Sequence, residues 1–206
     1  MSLNTLKRIL SIRTPGPMGA THRCAVLVPL VEQEDGLHLL YEVRAAALRQ
    51  QPREVCFPGG VMEPGESAVD CALRETQEEL GIPTQSIRVL GALDFICHRS
   101  GFALYPILAQ VEAQALADMT LNAAEVDEVF TIPLSALLEM TPEQYRYDLV
   151  PVLPKDFPYA ALNITPDYPW RAGVESGPSY PWQGKAVWGL TGRITRHVLE
   201  LWRGEE

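Results

Sequence analysis

The sequence predicts an α/β protein on a mixed β-sheet with helices on both faces. Apolar, strand-like runs recur at 23–31 (RCAVLVPLV), 37–43 (LHLLYEV) and 103–111 (ALYPILAQV). One long stretch with helical spacing, 67–80, lies between them and is closed by a glycine. Strands and helices do not alternate one for one, as a strictly parallel sheet would require.

Each element has a local reason. The opening MSLNTLKRILSIRTPGPMGA reads as a short helix stopped by Pro and Gly, and it is too polar for a secretory signal core. The runs 23–31 and 37–43 are joined by EQEDG, where Asp35-Gly36 favours a hairpin. A short strand is expected at 54–57, ending at Pro58, then the helix at 67–80, then strands at 86–97 and 103–111. EVFTIPLSALLEM suggests a strand end followed by a short helix from about Pro133. Residues 142–181 hold eight of the 17 prolines, interleaved with Tyr159, Tyr168, Trp170 and Tyr180. That content is too apolar for a flexible linker. It reads as a long ordered loop, wrapped over the domain or used at a homodimer contact. From Thr191 to Trp202 helical spacing returns, with Ile194, Val198, Leu201 and Trp202 on one stripe. The expectation is a single domain over 1–206, its core at about 20–140, with 141–206 as an extension and terminal helix.

Composition narrows the classes. Of 206 residues, 47% are hydrophobic, enough for a sizeable core. Mean hydropathy is -0.02, and no apolar run approaches the roughly 18–20 residues that span a bilayer. No membrane association is expected, and the C-terminal LWRGEE carries no organelle address, so the cytoplasm is the expected location. A net charge of -9 argues against a large nucleic-acid surface. It does not argue against a phosphorylated small molecule held by local arginines and divalent cations. Cys24, Cys56, Cys71 and Cys97 form no CxxC pair and read as buried free thiols.

The helix at 67–80 carries the densest chemistry. Ser67 is a good N-cap with Asp70 completing a capping-box-like pair, and Gly81 is a natural C-cap. Val69, Ala72, Leu73, Thr76 and Leu80 fall on one largely apolar face, which should pack on the sheet. Glu75, Glu78 and Glu79 fall on the other side as i, i+3, i+4 neighbours. Carboxylates that close repel one another and cost helix stability unless a cation joins them. The preceding Phe57-Pro58-Gly59-Gly60 lets backbone approach a ligand and leaves carbonyls free. Hard divalent cations, Mg2+ or Mn2+, want such oxygen ligands, bridge to phosphate oxygens and lower the pKa of a bound water.

The run Gly60, five residues, Glu66, seven residues, Arg74-Glu75, two residues, Glu78-Glu79, one residue, Gly81-Ile82 resembles the Nudix box at every fixed position. Thr76 stands where an aliphatic residue is usual, and its methyl can serve the same packing. The resemblance implies a Nudix-type α/β/α sandwich on a mixed sheet and attack of water on a diphosphate. It further implies Glu75, Glu78, Glu79 and the Gly60 carbonyl as metal ligands, with Glu75 also a candidate general base. Arg74 would orient the carboxylates, and Glu66 would be an orienting, structural member.

LLYEVRAAALRQQPREVCFPGG, just upstream, resembles the signature of coenzyme A diphosphatases. Aligned on Phe57-Pro58-Gly59-Gly60, Leu40, Arg44, Ala45 and Arg49 match. Tyr41, Glu42 and Arg53 replace a Leu, a Thr and a Gly. AVWGLTGRI (186–194) and EVDEVFTIPL (125–134) resemble further segments of that subfamily. Arg44, Arg49 and Arg53 form a local basic cluster suited to phosphate, and coenzyme A carries a 3′-phosphate besides its diphosphate. The resemblance therefore implies hydrolysis of coenzyme A or a derivative to 3′,5′-ADP and 4′-phosphopantetheine. The departures keep open ADP-ribose, a dinucleoside polyphosphate or a nucleotide sugar, and a non-catalytic Nudix-fold binding module is a reading of another class. Glu125, Asp127 and Glu128 could supply a further ligand or base. His98 and Arg99 sit on an expected turn and could touch substrate.

Overall fold

β1 (His22–Gln33) and β2 (Gly36–Arg44) form the expected hairpin, with Gln33 paired to Gly36 and Gly36 at φ 123. This is a computed structural model, describing residues 2–13 and 15–204. The chain divides into two compact units, residues 1–134 and 135–206.

The first unit is a mixed α/β fold around one eight-stranded sheet. The strands after the hairpin are β3 (Val55–Cys56), β4 (Gly59–Val61), β5 (Ile87–Ala92), β6 (Ile96–His98), β7 (Phe102–Val111) and β8 (Val126–Pro133). β1 pairs β7 in parallel along nearly its whole length, and every other pairing is antiparallel. The two arms of the hairpin then separate. β2 pairs β1 only over Gly36–Leu39, and further on its partner is β3, at Glu42 and Val43. The other end of β1, Cys24–Val26, takes β4 instead. Burial on both faces explains why 37–43 reads as one apolar run rather than an alternation: Leu39, Leu40 and Tyr41 are all inaccessible.

Three expectations need correction here. The run 86–97 is two strands, β5 and β6, rather than one. Leu93 N–H donates to Pro106 O at 2.9 Å, so the edge of Pro106 that faces this run is the edge lacking an N–H, and the ladder breaks there. The carbonyls of Phe57–Gly60 are not all left free, since Gly59–Val61 is a strand paired to β1 and Pro58 O accepts Leu27 N–H at 2.9 Å. Of the four thiols only Cys71 is buried; Cys24 and Cys56 are half-buried and Cys97 is exposed.

Helix α1 (Leu3–Ile12) forms as expected, capped by Ser2, and buries no residue. Helix α2 (Ala68–Leu80) lies against β1, β4 and β7. Its Cys71, Ala72 and Leu80 join Leu27, Leu40 and Ile107 in the core. Full burial of a leucine or isoleucine contributes about 1.5–3 kcal/mol each, so Leu80 and the following Ile82 fix the helix end. The five-residue α3 (Ala113–Ala117) was not anticipated.

Helix α4 (Leu134–Glu139) follows Pro133 as expected, and all but its first residue belong to the second unit. The ends of 142–181 are strands rather than loop. β9 (Glu143–Leu149) and β10 (Gly173–Trp182) pair antiparallel, and β11 (Lys185–Val187) returns along β10 after a turn at Gln183-Gly184. Pro178 and Pro181 hide β10 in the sequence, because proline normally weighs against a strand, yet its fixed φ is compatible with an extended chain. The middle, 150–172, stays irregular and is tied by an aromatic cluster in which Trp170 meets Phe157 and Tyr168 edge-on. α5 (Gly189–Arg203) packs on β10, close enough that a Cβ at Gly192 would meet Pro178 O at 2.6 Å.

Candidate active site

Helix α2 is set by its ends. Asp70 N–H donates to Ser67 Oγ at 3.1 Å, and the Ser67 hydroxyl donates to Asp70 Oδ2 at 2.6 Å. Gly81 takes φ 68 and its N–H donates to Gln77 O. A side chain at Gly81 would be strained and would also meet Thr120 O at 2.8 Å. Thr76 is fully buried, and its hydroxyl donates to Ala72 O at 2.7 Å, so it packs where an aliphatic residue would without leaving a polar atom unpaired.

The three glutamates do not share one exposed surface. Glu78 faces solvent, with 56% of its side chain exposed, whereas that of Glu75 is 15% exposed. Glu79 is buried at 4%, and its Oε2 accepts the Gly59 N–H at 2.8 Å. They run from solvent to the split between β1 and β2. Both glycines of β4 are required by close approach. A Cβ at Gly60 would collide with the Glu75 carboxylate, and one at Gly59 would collide with the Ala25–Val26 backbone. Gly60 O accepts the Cys71 thiol at 3.7 Å.

Arg74 organises the exposed side. Its Nε donates to Glu66 Oε1 at 2.9 Å and its Nη2 to Glu66 Oε2 at 3.2 Å. Nη1 reaches Glu75 Oε1 at 2.9 Å and Glu78 Oε2 at 3.1 Å. Glu66 also accepts Glu63 N–H at 2.8 Å. The Arg74 hydrogen bonds, helped by that backbone N–H, hold the Glu66 carboxyl down at about 2. Among the described residues no three His, Cys, Asp or Glu side chains stand close enough together, as placed, to hold a metal ion. Arg74 draws Glu75 and Glu78 towards itself instead.

The interior side is a cluster of acids held above their ordinary pKa. Burial raises Glu79, and the charges of Glu42, Glu75 and Glu125 add to it. Burial likewise raises Glu42, to about 7, against the opposing thiol of Cys56 and charge of Arg44. Glu75 is raised by burial, with Arg74 working against it. Glu42 is 1% exposed, and its Oε2 is buried without a hydrogen-bond partner. Sequence reasoning marked this residue only as a departure from a signature; an acid inside the apolar run LHLLYEV was the available signal. The thiols near the site are pushed up too, chiefly by burial: Cys24, Cys56, and Cys71 to about 12, so none supplies a thiolate at neutral pH.

The arginines upstream separate. Arg44 ends β2, half-buried, with its Nε buried and unpartnered. Arg49 and Arg53 are exposed on the loop that follows and make no ion pair among the described residues. Arg53 has φ 62, the left-handed conformation that glycine takes easily, and its N–H donates to Arg44 O at 3.0 Å. The turn therefore has the backbone that a glycine signature calls for, despite the side chain. Downstream, Asp127 Oδ2 accepts Ala46 N–H at 3.0 Å and anchors that loop, while Glu125 is the acid felt by Glu42, Glu75 and Glu79. Glu128 is exposed. His98 stacks on Phe102 and accepts Ser100 N–H, on the turn where Arg99 is exposed.

The NUDIX domain family matches residues 21–153, and the chain belongs to that family. It is 38% identical over 122 residues to Nudix hydrolase 3 of Caenorhabditis elegans, covering 58% of this chain and 51% of that protein. It is 38% identical to the mitochondrial coenzyme A diphosphatase NUDT8 of Mus musculus, covering 60% of each. It is 32% identical over 188 residues to an uncharacterized Nudix hydrolase, NudL, of Yersinia enterocolitica, covering 90% of this chain and 85% of that protein. Against the first two, the chain spans about half to three fifths of the relative's length. No described helix is long and apolar enough to cross a membrane.

Proposed function

We propose that the chain hydrolyses the diphosphate bond of coenzyme A or a derivative, with Mg2+ or Mn2+, giving 3′,5′-ADP and 4′-phosphopantetheine. The observation that carries the chemistry is the row Glu78, Glu75, Glu79 running inward over Gly60, ending in acids whose burial and mutual repulsion a divalent cation would relieve. The unpartnered Glu42 oxygen and the side-chain-free approach at Gly60 fit such an ion. Glu75, Glu78, Glu79 and the Gly60 carbonyl would hold it. When bound, the ion supplies charge neutralisation for the diphosphate and a more acidic water. Arg74, anchored on Glu66, holds Glu75 and Glu78 in register. Glu75, raised by burial, is a candidate general base. Arg44, Arg49 and Arg53 would take the phosphates; that Arg49 and Arg53 are exposed and make no ion pair among the described residues supports this. The similarity to the mouse coenzyme A diphosphatase supports the choice of coenzyme A.

Turnover of coenzyme A, its dephospho form and ADP-ribose by the purified protein with Mn2+ tests the reading. Preference for coenzyme A over the dephospho form is expected. Equal rates on both would remove the 3′-phosphate argument, and turnover of ADP-ribose alone would move the activity to that substrate. Glu79→Gln should lower kcat at least about a hundredfold, equivalent to about 2.7 kcal/mol. Absence of any turnover in the parent protein would instead make the chain a binding module.

A further inference from the structure

We propose that Glu42 is an additional oxygen ligand of the divalent-cation site, contributed by β2 from outside the Gly60–Ile82 box. The inference rests on the reading that the box glutamates hold the cation.

Glu42 lies on β2 just past the point where that strand leaves β1, opposite Cys56 of β3 and Val129 of β8. It is 1% exposed, next to the fully inaccessible Leu40 and Tyr41. Its Oε1 accepts the Cys56 thiol at 3.2 Å, a weak donor, and its Oε2 has no partner. A buried polar atom left unpaired costs about 1–3 kcal/mol, and more when charged. An apolar side chain at this place would avoid that cost. The charged groups it feels are Arg44 on its own strand, Glu75 on α2, and Glu125 before β8; Glu79 on α2 in turn feels Glu42. Arg44 makes no ion pair with it, and the rest are acids. Among the described residues the charge of Arg44 alone offsets Glu42 in this corner, without an ion pair, and an oxygen-seeking cation would neutralise its acids. The topology gives such a ligand a purpose. Glutamates of a single helix reach an ion from one side, and an acid on a strand of the sheet would supply an oxygen from a second element.

Mn2+ binding, read from the free-ion electron paramagnetic resonance signal without substrate, tests the assignment on the parent protein and on Glu42→Gln, Glu42→Thr and Glu79→Gln. Melting temperatures in EDTA accompany it. Both Glu42 variants should weaken Mn2+ binding about tenfold or more, while their metal-free melting temperatures stay level or rise, because the atom removed was unpaired. Mn2+ affinities within twofold of the parent's in both, with Glu79→Gln losing binding, would overturn the assignment and leave the box reading intact. Weaker binding with a lower metal-free melting temperature in both would overturn it as well, since the site would then be damaged through the fold. Unchanged Mn2+ binding by Glu79→Gln would instead sink the box reading beneath it.

Discussion

At the scale of single residues, Arg53 and Arg74 illustrate opposite uses of a guanidinium. Arg53 occupies a left-handed backbone position that costs a non-glycine residue about 1–2 kcal/mol. Glycine would remove that strain and give back part of the gain as unfolded-chain entropy. Arg53→Gly is therefore expected to leave stability level or raise it by up to about 1 kcal/mol in urea denaturation. The same variant should raise KM for coenzyme A if the side chain touches phosphate, so stability and KM read separate roles. Arg74 joins three carboxylates in a geometry that only a planar fork can meet. Arg74→Lys should lower kcat by about 10–100-fold with little change in melting temperature, since a lysine cannot hold Glu66 and the two box acids together. A kcat within twofold of the parent's would remove Arg74 from the machinery.

At the scale of elements, α2 and β4 make one device. The helix is placed by its caps and apolar face, and β4 brings backbone against its carboxylates. Ser67→Ala should cost about 1 kcal/mol in thermal or chemical unfolding while leaving activity per folded molecule unchanged, because the cap lies at the far end from Glu79. Gly60→Ala should behave in the reverse manner. Its Cβ would push the Glu75 carboxylate aside, so activity should fall at least about tenfold and Mn2+ affinity with it, by the scale of a displaced ligand support.

For the whole molecule, the acid cluster makes stability depend on pH in a direction opposite to that of an ordinary ion-paired carboxylate. Glu42, Glu75 and Glu79 have folded-state pKa values raised above the usual value of about 4.3 for glutamate. Between that value and the raised ones the folded chain binds more protons than the unfolded chain. Stability without metal should then fall as pH rises from about 4.5 towards 7, where Glu42 titrates, and beyond as Glu79 loses its proton. Glu66, held down at about 2, works the other way: its contribution is present above about pH 4.3 and fades only in strong acid. Melting temperatures in EDTA from pH 5 to 8, compared with the same series in Mn2+, check this. The decline should be present in EDTA and largely removed by the ion, and a metal-free curve that rises over this range would contradict it.

The sequence by itself determined α2, its caps, the hairpin at Asp35-Gly36 and the identity of the box glutamates. Each of these follows from neighbours in the chain: a cap three residues from its partner, a turn dipeptide, a helical spacing. It also carried the mixed-sheet class, through strand runs that fail to alternate with helices. Only the tertiary structure decided how deep each glutamate sits. The i, i+3, i+4 spacing makes Glu75, Glu78 and Glu79 equivalent neighbours, and the strand laid beside them makes one exposed and one buried. It also decided that Glu42, 37 positions before Glu79 and on another element, feels the same electrostatic corner. Burial and long-range charge depend on what packs across a gap, and the split between β1 and β2 is set by which strands compete for their edges, a property that no local stretch of sequence contains.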